Sequence, residues 1–113
     1  MADNLDALAS NTVSRSQVTD DQLRQEVAAL GNRWTIDGIN LKCELRGAVM
    51  TKCGEAAAYA SKLADEMDHH PRILLEYAGM TLTINTHDKN AITVMDLVYA
   101  ARFERWLRTN GWA

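Results

Sequence analysis

The sequence is short of several things, and each shortage closes off a class of protein. Cysteine occurs twice in 113 residues, as Cys43 and Cys53, with no C-x-x-C pair. That excludes a disulfide-stapled secreted domain and points to a reduced, cytoplasmic setting. Basic charge is not in excess: 12 Lys and Arg stand against 15 Asp and Glu, for a net charge of -3. No basic run supplies an electrostatic footprint for nucleic acid or an anionic membrane. No apolar stretch is long enough for a signal peptide core or a bilayer span. Pro71 is the lone proline, and no internal repeat, low-complexity tract or Gly-rich phosphate loop is present.

What is present is the pattern of one mixed domain. Residues 1–17 are small and polar without a sustained period, and are expected to form a flexible N-terminal arm; residues 18–113 form the single domain. Thr19 is placed to cap a helix whose apolar stripe is Leu23, Val27 and Leu30, closed by Gly31. Asp37-Gly38 signals a tight hairpin turn after Trp34 and Ile36. Beyond it Ile39, Leu41, Cys43 and Leu45 alternate with polar residues, as in a strand with one buried face. Helical spacing returns from Thr51 to about Met67, and Pro71 forbids its continuation. Ile73, Leu75 and Tyr77 read as a strand, Ala78-Gly79 as a turn, and Met80, Leu82 and Ile84 as the buried side of another strand.

Thr93 opens a last helix reaching about Asn110-Gly111. That helix carries a second apolar stripe, Met95, Tyr99, Phe103 and Trp106, which predicts a subunit interface. The fold class that follows is α+β: an antiparallel four-stranded sheet with three helices largely on one face, in the order α-β-β-α-β-β-α.

The chemistry gathers between residues 65 and 96. Asp68-His69-His70-Pro71 places two of the three histidines at the end of a helix, where the dipole and the last carbonyls are themselves sufficient reason for a cation. His87 supplies a third imidazole near the end of a strand, on the polar side by parity. Three imidazoles are enough for zinc with one open position. Neighbouring histidines, however, diverge by about 100° on a helix, whereas ligands to one ion sit three or four residues apart. Neither cysteine belongs to a nucleophile motif, and the register of Cys43 makes it core filler. Asp96, third residue of the last helix, reads first as a capping acid, and Asp65 as an ordinary helix-surface acid.

The run Asp65-x3-His69-His70-Pro71, followed by Tyr77, His87 and Asp96, resembles the signature of the pterin-4a-carbinolamine dehydratases in residue type and spacing. The element order is similar to that family's plan over most of the chain. The resemblance implies an enzyme without cofactor or metal that converts a 4a-hydroxytetrahydropterin to a quinonoid dihydropterin, recycling the pterin used by aromatic amino acid hydroxylases. It implies a homodimer or homotetramer and a functional link to such a hydroxylase, with no nucleic-acid or membrane partner. Carried over by residue, His69, His70 and His87 match the essential histidines and Asp65 and Asp96 the supporting acids, while Asp68, Pro71 and Thr86 match positions lining the pterin pocket. Ile73, Met95 and the turn Asn90-Ala91-Ile92-Thr93 depart from residues common in the family.

The chemistry suits the residues, since losing hydroxide from C4a and a proton from N5 needs an acid and a base and no redox step. The expected division has His69 protonating the departing hydroxyl, His87 sharing proton transfer and His70 orienting the pterin. The rival reading is a non-catalytic dimerisation or assembly scaffold on the same fold.

Overall fold

A computed structural model describes the backbone of residues 2–112 and the side chains of residues 5–112. Seven of its elements follow the expected order: α2 (Asp20–Leu30), β1 (Trp34–Asp37), β2 (Asn40–Arg46), α3 (Met50–Met67), β3 (Arg72–Glu76), β4 (Gly79–Ile84) and α4 (Val94–Thr109). An eighth, α1 (Ala2–Ala9), precedes them, and a 3-10 turn (His87–Lys89) links β4 to α4. No helix among the described residues is long and apolar enough to cross a membrane.

The sheet is antiparallel throughout, in the order β1-β2-β4-β3. Alternation decides its two faces. Leu41, Cys43 and Leu45 of β2 and Met80, Leu82 and Ile84 of β4 are buried under the helices, each aliphatic contributing roughly 1.5–3 kcal/mol relative to exposure. Lys42, Glu44, Thr81 and Thr83 occupy the opposite face, which is more exposed. The β1–β2 hairpin turns at Gly38-Ile39, Gly38 taking φ 61°. Ile39 therefore sits in the turn, 41% exposed, instead of heading the buried row. Thr19 caps α2 by accepting from the Gln22 N–H at 3.1 Å.

Two expectations require correction. The arm over residues 1–17 is docked, with Leu5, Leu8 and Ala9 buried against α4; residues 1 and 113 lie outside the described residues. Leu5 and Leu8 lie three residues apart and so share one helical face. A helix of eight residues is too short to persist alone, so its order depends on that contact. Arg102 Nε donates to the Ala9 carbonyl at 2.9 Å, and the Val94 N–H donates to the Ser16 carbonyl at 3.0 Å. The second apolar stripe of α4 is not a free interface at its centre, for a separate reason: Tyr99 and Phe103 are fully buried within the chain, largely against α3. The Tyr99 hydroxyl donates to the Ala60 carbonyl of α3 at 2.6 Å, and Phe103 stacks with Tyr59 and Trp106.

Candidate active site

The end of α3 sets the directions of the adjacent histidines. Asp68 adopts the left-handed conformation, φ 50° and ψ 48°. The His69 N–H donates to the Ala64 carbonyl at 3.0 Å, the long return bond of a Schellman termination. After this reversal His69 is turned inward, 9% exposed, while His70 faces solvent. Pro71 is half-buried and leads directly into β3.

His69 meets a buried carboxylate. Its Nε2 lies 2.5 Å from Asp96 Oδ1, and Asp96 is fully buried in the first turn of α4. The other oxygen, Oδ2, accepts from the Thr86 hydroxyl at 2.8 Å and from the Thr93 N–H at 2.8 Å. Because Thr86 spends its proton on Asp96, the 2.6 Å contact between the two threonine hydroxyls has Thr93 as donor. Asp96 is thus both the helix cap and the partner of a histidine. An ionised carboxylate only accepts, so Nε2 of His69 is the donor in this contact, and Nδ1 is the ring atom it leaves unspent.

His70 and His87 converge on a separate, open cleft of about 170 Å³, whose walls also include Asn40, Arg72, Thr83 and Asn85. His87 stands in the 3-10 turn just past β4. Asn90, closing that turn, takes φ 51°, a conformation open to Asn as well as Gly. The Thr86 N–H then donates to the Ala91 carbonyl at 2.9 Å. Asn85 Nδ2 donates to Asn40 Oδ1 at 2.7 Å, joining β2 to the end of β4 at the cleft. The cleft is smaller than the roughly 300–1,000 Å³ that encloses a drug-sized ligand. It covers one part of a ligand and leaves the rest over its rim.

The remaining predicted residues fall into distinct places. Asp65 reaches His70 Nε2 at 3.2 Å, both side chains being exposed. Asp68 is exposed and contributes its backbone conformation. Thr86, expected to line the pocket, is 1% exposed and braces Asp96 from behind. Cys43 is fully buried, and burial together with the Glu104 carboxylate pushes its thiol well above the ordinary range, keeping it protonated. Arg72, Asn40, Asn85, Thr83 and Thr93 were not singled out from sequence as site residues. Thr93 carried a signal as the N-cap three residues before Asp96; the asparagines meet only through strand pairing.

Comparison with known proteins places this geometry in context. The family model for pterin 4 alpha carbinolamine dehydratase matches residues 16–106. A relative from Mesorhizobium japonicum is 29% identical over 99 residues, covering 83% of this chain and 97% of its own. One from Chromobacterium violaceum is 30% identical over 97 residues, covering 83% and 86%. Both are provisionally named pterin-4-alpha-carbinolamine dehydratase. A crystal structure from Brucella melitensis, described as a transcriptional coactivator/pterin dehydratase, shares the fold with a TM-score of 0.72 at 23% identity, covering 80% of this chain and 97% of that one.

Proposed function

The chain belongs to the pterin 4 alpha carbinolamine dehydratase family, and from that premise we propose that it dehydrates a 4a-hydroxytetrahydropterin to the quinonoid dihydropterin by histidine acid-base catalysis. The observation that carries the reading is the cleft shared by His70 and His87, with His69, the residue before His70, held by the buried Asp96. In this proposal His69 acts as the imidazolium, protonated on both ring nitrogens: Nδ1 gives its proton to the departing C4a hydroxyl while Nε2–H stays on Asp96. His87 takes the N5 proton as the C4a–N5 double bond forms and water leaves, and the two protons re-equilibrate through solvent. His70 orients the ring, Asp65 steadies His70, and Asp68 and Pro71 shape the approach. Thr86 acts at one remove, through Asp96. The setting we assign is cytoplasmic, with the protein a homodimer or homotetramer recycling pterin for an aromatic amino acid hydroxylase.

The test follows quinonoid dihydropterin formation from freshly generated substrate. The native chain is expected to accelerate it over a protein-free blank. A His69→Ala, His87→Ala double variant should lose about 10²–10⁴-fold, the usual contribution of positioned acid and base groups. A folded native chain no faster than the blank overturns the proposal and favours the scaffold reading, which draws on the exposed side chains of Val49, Met50 and Tyr77.

A further inference from the structure

Every arginine outside the cleft has a described partner: Arg15 with Asp88, Arg24 with Asp21, Arg33 and Arg108 with Glu104, Arg46 with Glu44, Arg105 with Asp6, and Arg102 with the Ala9 carbonyl. The guanidinium of Arg72, which lines the cleft, makes no hydrogen bond or ion pair among the described residues. Strand pairing sets what lies beside it. Arg72 stands opposite Thr83 in the β3–β4 ladder, and Thr83 stands opposite Lys42 in the β4–β2 ladder. At about 4.8 Å between strands, the row Arg72-Thr83-Lys42 puts two cationic side chains roughly 10 Å apart with a hydroxyl between them. Lys42 likewise makes no ion pair among the described residues. None of the six residues lining the cleft is acidic. Glu44 and Glu76, further along the same face, are engaged by Arg46.

Resting on the pterin reading above, we propose that Arg72, supported by Lys42 and Thr83, recognises an oxyanion carried on the substrate's side chain, a phosphate monoester or a carboxylate. A guanidinium fork with unspent donors suits two oxygens of one such group, and the ammonium adds a point charge. A cleft that takes only part of a ligand leaves the side chain over this row, which makes Arg72 a specificity-determining residue. It is not a proton-transfer group.

The experiment is calorimetric titration of the native chain with three stable oxidised pterins: 6-hydroxymethylpterin, its phosphate monoester and 6-carboxypterin. At least one anionic probe is expected to bind about 10-fold or more tightly than the neutral one, as one charge-assisted contact gives. That preference should shrink as salt rises and fall below about threefold in Arg72→Gln, with Arg72→Lys intermediate. Which anion is preferred distinguishes phosphate from carboxylate, and either supports the assignment. Equal binding of all three, or a preference that survives Arg72→Gln, overturns it while leaving the pterin reading intact. Failure of all three to bind overturns it as well, and the dehydration assay above then decides the pterin reading separately.

Discussion

Helix α4 buries two carboxylates eight positions apart, Asp96 and Glu104, each essentially without solvent contact, and their surroundings differ in kind. Glu104 is closed off by permanent cations and an indole. Oε1 accepts from Arg33 Nε and Trp34 Nε1, both at 2.8 Å, while Oε2 accepts from Arg33 Nη2 at 3.1 Å and Arg108 Nε at 2.7 Å. Arginine stays charged across the accessible pH range, so Glu104 has no proton-exchanging partner and the cluster fastens β1 to α4 through Trp34. Asp96 instead faces a titratable imidazole and two neutral donors. Burial alone does not mark a functional acid. What separates the two is whether the partner can exchange a proton and keeps an atom free to do so.

The comparison can be broken at either end. Glu104→Ala should cause the largest change, a loss of about 3 kcal/mol in urea unfolding, at the low end for splitting a buried pair because Arg108 reaches water. Turnover per folded molecule should hold near native. A large loss of turnover by folded Glu104→Ala protein would erase the distinction. Asp96→Asn should behave in the opposite way. One amide oxygen cannot satisfy three donors, so the His69 tautomer is released, and kcat should fall about 10–100-fold, in line with other orienting partners. The imidazole ¹⁵N shifts of His69 should report the exchange.

Smaller changes sharpen the contrast. Thr86→Val removes one of the two donors to Asp96 Oδ2 and should cost about 1 kcal/mol of stability, with a kcat loss smaller than that of Asp96→Asn and little change in KM. A KM effect dominating over kcat would mean that Thr86 touches the substrate directly. Asp65→Asn should be the mildest. Its pair with His70 is exposed on both sides, 59% and 82%, and the change in stability should stay under about 0.5 kcal/mol.

Much of this was legible in the sequence where the signal is local. The alternation of Leu41, Cys43 and Leu45, the Thr19 and Thr93 caps and the stop at Pro71 each depend on neighbours within a turn or a strand. The His69-His70 pair, His87 and Asp96 were visible as residues, and the double use of Asp96 follows from its place at the head of α4. Three features were not legible. Helix α1 lacks a pattern strong enough to stand alone, and its cause lies on α4. Thr86 was read as a pocket residue through the family resemblance, whereas it is buried with its hydroxyl on Asp96. The Asn40–Asn85 bridge joins side chains 45 positions apart, a relation that only the β2–β4 register creates.

The packing of α1 on α4 also has a consequence for synthesis. The Arg102–Ala9 bond spans 93 positions, so α1 acquires its cover only when α4 has emerged from the ribosome. Until then Leu5 and Leu8 lack the cover that α4 gives them. The nascent chain therefore carries this apolar face uncovered while the segment between α1 and α4 is made, an interval in which chaperone capture and misassembly between neighbouring chains compete with folding.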